Sequence, residues 1–100
     1  MDRKLIWTER ASSDIEAIVR YIARRNRSAA ARIGFGIYDR AQILLSNPEA
    51  GSVLNELQEG GWRKLIYRKW KIVYKLRHNE TIIGRVWPAA LGDADLETPL

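Results

Sequence analysis

The sequence predicts an α+β domain with element order β-α-α-β-β-β. An N-terminal helical hairpin packs on one face of a small, mainly antiparallel sheet. Three observations lead there. Between Ala11 and Leu45 apolar residues recur at spacings of three and four, the period of a helix. From Trp70 to Arg77 they alternate with cations, the period of a strand. A small antiparallel unit with one apolar face then needs a helical lid.

Lys4-Leu5-Ile6-Trp7 reads as a short first strand. Thr8 can cap the helix that follows, and Ser13 with Glu16 offers a second candidate cap in capping-box spacing. Ile15, Ile18, Val19 and Ile22 then form one apolar stripe, flanked by Ala11 and Tyr21. Glu16, Arg20 and Arg24 fall on the opposite side.

Asn26-Arg27-Ser28 breaks the pattern, and Ser28 is the expected cap of a second helix. Its buried stripe is Ala30, Ile33, Ile37, Ala41, Leu44 and Leu45. Gly34 and Gly36 weaken this helix by roughly 1 kcal/mol each relative to alanine. They imply either a close approach to another element or a tolerated imperfection. Asn47-Pro48 ends the helix, and the short break between the helices implies an antiparallel pair.

Glu49 to Gly61 is a connection, with Leu54 and Leu57 expected to pin it to the core. In the sheet, Trp70, Ile72, Tyr74 and Leu76 should face the helices, with Lys71, Val73, Lys75 and Arg77 facing water. Ile82 and Val86 are expected on the packed side of the last strand, opposite Ile83, Arg85 and Trp87. Arg68-Lys69 and His78-Asn79-Glu80 are short enough for hairpin turns. Residues from about 88 to 100 form an acidic tail without a period, which Leu91, Leu96 and Leu100 could dock. The whole of 1–100 is a single domain.

The chain is 46% hydrophobic, which marks it as globular, and it has no cysteine. Disulfides, thiolate metal sites and a cysteine nucleophile are excluded. The first residues hold too short an apolar stretch for a signal peptide, and no run approaches a membrane span. The absence of thiols fits a reducing compartment. A net charge of +5 and a pI near 9.9 suit nucleic acid, an anionic membrane or an acidic protein partner.

No residue set carries a recognisable catalytic or metal-binding pattern. His78 is the only histidine and has no partner at ligand spacing. Asp93, Asp95 and Glu97 lack the spacing of a calcium loop. The four tryptophans, Trp7, Trp62, Trp70 and Trp87, all fall on strands and read as packing residues. The cations Arg63, Lys64, Arg68, Lys69, Lys71, Lys75, Arg77 and Arg85 are the main candidates for function. Arginines on an open sheet face could clamp phosphates or meet an acidic, initially disordered segment. The lysines read as an ordinary solvated face. Arg85 stands apart, because a charge inside an apolar strand is costly without a partner.

Taken in order, several segments form a recognisable set. They are Trp7-Thr8 leading to Ala11, Asp14-Ile15, Ile18 and Tyr21-Ile22-Ala23; Leu44-Leu45; and Asn47-Pro48-Glu49-Ala50-Gly51. Gly61-Trp62-Arg63, Trp70-Lys71-Ile72-Val73-Tyr74 and Ile83-Gly84-Arg85-Val86-Trp87 complete it. The chain resembles the ParE/RelE superfamily of toxins from bacterial type II toxin–antitoxin modules over nearly its whole length, and the resemblance implies that fold.

The RelE-like branch is a ribosome-dependent mRNA endoribonuclease that uses lysines, arginines and a C-terminal tyrosine. Lys71 sits where that branch often has an arginine, and Arg63 or Lys64 could stand in for its other cations. The matching C-terminal region, Trp87 to Leu96, has neither a cation nor a tyrosine. Tyr21, Tyr38, Tyr67 and Tyr74 all lie earlier in the chain. That departure favours the ParE-like branch, whose members inhibit DNA gyrase by binding and block replication. The resemblance therefore implies a cytoplasmic inhibitor rather than an enzyme, with no cofactor or metal and no membrane partner. It also implies a cognate antitoxin that folds on binding, a toxin–antitoxin hetero-oligomer, and operator DNA reached only through the antitoxin. Arg63, Lys71 and Arg85 are the candidate antitoxin- or target-binding residues.

Overall fold

A computed structural model describes residues 2–54 and 61–91. The chain runs β1 (Lys4–Trp7), α1 (Glu9–Ala23), α2 (Arg27–Ala41), α3 (Ile43–Ser46), β2 (Ser52–Val53), β3 (Trp62–Tyr67), β4 (Trp70–Arg77) and β5 (Glu80–Pro88). A 3-10 turn at Ala89–Leu91 follows. The strands form one sheet in the order β1-β5-β4-β3-β2. β1 pairs parallel with β5 and every other pairing is antiparallel. The fold is the expected α+β arrangement. The additions are a two-residue edge strand and a single helical turn, both too short to show a period.

Thr8 starts α1. Its extended backbone lets the hydroxyl accept from the Ala11 N–H at 3.2 Å while donating to the Ile83 carbonyl at 2.8 Å. One side chain thus caps the helix and ties its start to β5. Ser13 and Glu16 lie inside the helix instead. The second helix is capped by Asn26, not Ser28. Asn26 adopts an extended conformation, whereas Ser28 is already inside the helix, and the Asn26 Oδ1 accepts from the Ala29 N–H at 2.9 Å.

The main core lies between the helices and one sheet face. Ala11, Ile15, Ile37, Ala41 and Leu44 meet Leu65, Ile72, Tyr74, Ile83 and Val86. Each fully buried isoleucine or leucine contributes roughly 1.5–3 kcal/mol. Leu45, expected in this stripe, is 39% exposed, because α2 ends at Ala41 and Leu44 takes the inward position of α3. Gly34 and Gly36 are close-approach sites. A methyl group on Gly34 would press on Val19 of α1, and one on Gly36 would overlap the Tyr67 hydroxyl of β3.

β4 alternates as expected, but its second face is not simply wet. Val73 is fully buried there with Leu54, under Trp62 and Trp87. Leu54 therefore pins the connection to the outer face rather than to the main core. Leu57 and the tail residues Leu96 and Leu100 lie outside the described residues.

β5 departs from its predicted facing. Val73 pairs with Arg85 while Tyr74 pairs with Ile83, so Gly84 is an extra residue in the ladder. The bulge shifts the alternation by one. Ile83 and Val86 both turn to the helices, and Ile82 turns outward with Arg85 and Trp87. A glycine inside a strand is the usual mark of such a bulge.

Candidate partner-binding surface

The three cations predicted for binding do not share a surface. Arg63 pairs across β3–β4 with Tyr74, on the helix side of the sheet. Its guanidinium donates to the Gly51 carbonyl at 2.9 Å and pairs with the Glu49 carboxylate at 3.4 Å. Tyr74 grips the same turn. Its hydroxyl donates to the Pro48 carbonyl and accepts from the Gly51 N–H, each at 2.9 Å. The Asn47-Pro48-Glu49-Ala50-Gly51 segment is therefore a turn latched to β3 and β4. Burial pushes the Tyr74 phenol above its ordinary range, and the bond from the Gly51 N–H offsets part of that rise.

Lys71 and Arg85 lie on the outer face, on either side of Trp87. Lys71 is 3% exposed and stands across the ladder from Trp87. The Arg85 guanidinium stacks on the Trp87 ring at 4.4 Å. Its Nε and one terminal nitrogen donate to the two carboxylate oxygens of Asp14 at 2.8 and 3.0 Å. Asp14 also accepts from the Val86 N–H at 2.9 Å. The charge in the apolar strand has its partner on α1, and the pair is almost fully buried. The sequence flagged the need for a partner but not its identity. The signal was present, since Asp14 falls on α1 next to the inward-facing Ile15.

The feature that sequence reading missed is a groove of about 620 Å³ between α1 and the far end of the sheet. Ala17, Ile18, Tyr21 and Ile22 form one wall, and Trp70, Val86, Trp87 and Pro88 the other, with Asp14 and Lys69 at its margin. The lining is mostly apolar, as suits a peptide anchor. The buried Trp87 Nε1 has no hydrogen-bond partner among the described residues. The Ala89 N–H bonds to the Lys69 carbonyl at 2.8 Å, which carries the chain across one end of the groove. The α1 side of this groove was read in the sequence as core stripe. Ile18 and Ile22 are only partly covered and line the groove.

Among the described residues no cluster of histidines or acids could hold a metal ion. No helix there is long and apolar enough to cross a membrane.

No curated protein sequence matches the chain. Among solved structures, a chain of the "Chromosomal ParDE TA system from P. aeruginosa" is similar, with a TM-score of 0.72 and 21% identity. The match covers 86% of this chain and 95% of that one, and at this identity it is a likeness of fold. The family described as "ParE toxin of type II toxin-antitoxin system, parDE" matches residues 5–90. With this match over most of its length, the chain belongs to the ParE toxin family of type II toxin–antitoxin systems.

Proposed function

We propose that this toxin inhibits DNA gyrase by binding and so blocks replication in the cytoplasm. A cognate antitoxin neutralises it by occupying the groove along α1. The observation that carries the choice of a binding inhibitor over an RNase is the division of its cations. Arg63 lies on one face of the sheet and is bonded to the Gly51 carbonyl, while Lys64 lies on the other with Lys71 and Arg85, both of which are nearly inaccessible. Such an arrangement does not converge on a scissile phosphate. The sequence after Trp87 also has neither lysine, arginine nor tyrosine.

The antitoxin segment that suits the groove is amphipathic. Its apolar anchors fill the space between Ile18 and Trp70, and an acidic residue faces Lys69. The net charge of +5 speeds its approach. Lys71 and Arg85 act on binding by holding Trp87 in the groove wall. Arg63 holds the turn that presents Glu49. The antitoxin, in turn, links the hetero-oligomer to operator DNA.

A plasmid supercoiling assay with purified gyrase tests this reading. The expected result is loss of supercoiling with accumulation of linear, gyrase-cleaved plasmid, reversed by stoichiometric antitoxin. An unaffected gyrase, together with cleavage of ribosome-bound mRNA, would overturn it.

A further inference from the structure

The distribution of charge points to a second surface, at the tip of the helical hairpin. Between Glu16 and Asp39 there is no acidic residue and no lysine, yet Arg20, Arg24, Arg25, Arg27 and Arg32 fall in this stretch. Their charge equals the whole chain's net +5, so the remainder of the protein is formally neutral. All are exposed. Among the described residues Arg20, Arg25 and Arg27 form no ion pair. Arg24 lies over the exposed Tyr21 ring at 5.9 Å, and Arg32 reaches the Ser28 hydroxyl at 3.4 Å.

Helix capping explains only part of this. Arg20 and Arg24 sit at the C-terminal end of α1, where the helix dipole favours cations. Arg27 occupies the first position of α2, where the dipole disfavours them, and that first turn has no acid to compensate. Arg20 and Arg24 are also one turn apart on the same helix face, a repulsive spacing for like charges. The tip accumulates positive charge against local helix energetics.

We propose that this tip binds the phosphate backbone of duplex DNA. The chemistry narrows the partner. The cations are all guanidinium groups, whose fork matches phosphate oxygens, and Asn26 and Ser28 add neutral donors between them. Residues 24–28 contain no apolar side chain. A membrane surface needs an inserted apolar anchor, and a protein interface needs an apolar centre. A single strand needs successive stacking platforms, and the tip has one aromatic beside it, the exposed Tyr21, with Arg24 lying over its ring. A duplex backbone needs only charge at a convex end. The choice of DNA over duplex RNA rests on the gyrase reading, since gyrase holds duplex DNA. The tip then engages the same DNA that the enzyme has bound.

Fluorescence anisotropy with a labelled duplex of about 30 base pairs, without gyrase, tests the surface alone. Binding should be weak and sequence-independent, with Kd on the order of 10 μM at low salt. Replacing Arg25→Gln and Arg27→Gln together should weaken it at least about fivefold and flatten the salt slope by about two. Lys4→Gln with Arg77→Gln removes the same charge from the sheet end and should leave binding within about twofold. Unchanged thermal unfolding and antitoxin affinity would show that the hairpin pair is folded. Equal losses from both pairs, or tighter binding to anionic vesicles, polyglutamate or duplex RNA, would overturn the proposal. Failure of the gyrase assay with DNA binding intact would overturn the gyrase reading and leave this surface standing.

Discussion

The Tyr74 hydroxyl donates to the Pro48 carbonyl and accepts from the Gly51 N–H, so one buried phenol closes both ends of a surface turn. Gly51 is held so near that a methyl group there would strike the Lys64 carbonyl and lie 2.7 Å from the Tyr74 oxygen. Gly51→Ala should therefore cost about 2–3 kcal/mol, since backbone cannot yield as a side chain can. Tyr74→Phe should cost about 1–3 kcal/mol by leaving the Gly51 N–H unsatisfied. Urea unfolding of both variants checks this. A Gly51→Ala protein as stable as the parent would show that the turn is not latched.

The same phenol sets a pH dependence. Burial raises its pKa in the folded state. The unfolded chain then releases this proton first, so the folded protein binds more protons once the pH passes about 10. Stability should be insensitive to this group below that pH and fall as the pH rises above it. The fall should be steeper in the parent than in Tyr74→Phe, measured by urea unfolding from pH 8 to 11. Parallel curves would count against it.

Asp14→Ala should destabilise by about 3–5 kcal/mol, because it leaves the Arg85 charge buried without its carboxylate. Combining it with Arg85→Met should recover a large part of that loss. A double-mutant cycle reads the coupling directly. Additive losses would mean that the pair does not act as a unit.

Ala17 is exposed yet lines the groove, so a larger side chain can fill the site without disturbing the core. Ala17→Glu should weaken antitoxin binding at least about tenfold, or 1.4 kcal/mol. Thermal unfolding of the free protein should not change. Unaltered affinity by titration calorimetry would place the antitoxin elsewhere.

What the sequence disclosed, and what it did not, follows from the range of the interactions involved. The helices, the strands and the facing of β4 are local periodicities, and they were legible. The cap at Asn26 was missed because Asn26 and Ser28 are both good caps, and backbone conformation chooses between them. The facing of Ile82 and Ile83 was missed because a constant period of two was carried through Gly84, the one residue that interrupts it. Arg85 was recognised as needing a partner, but Asp14 is far away in sequence and only the fold brings it near. The groove was illegible for the same reason. It is made by two elements that each look like ordinary core.

The carboxylate of Asp14 has a further consequence. β1 pairs with β5 only as far as Ile83, so from there onward the margin of β5 has no neighbouring strand among the described residues. Asp14 takes the Val86 N–H that such a strand would have taken, and Arg85 fastens the carboxylate in place. A single side chain thus does the work of a missing strand. An incoming peptide cannot take the Val86 N–H by backbone pairing without displacing Asp14. At Val86 the strand margin presents a carboxylate in place of a free backbone donor.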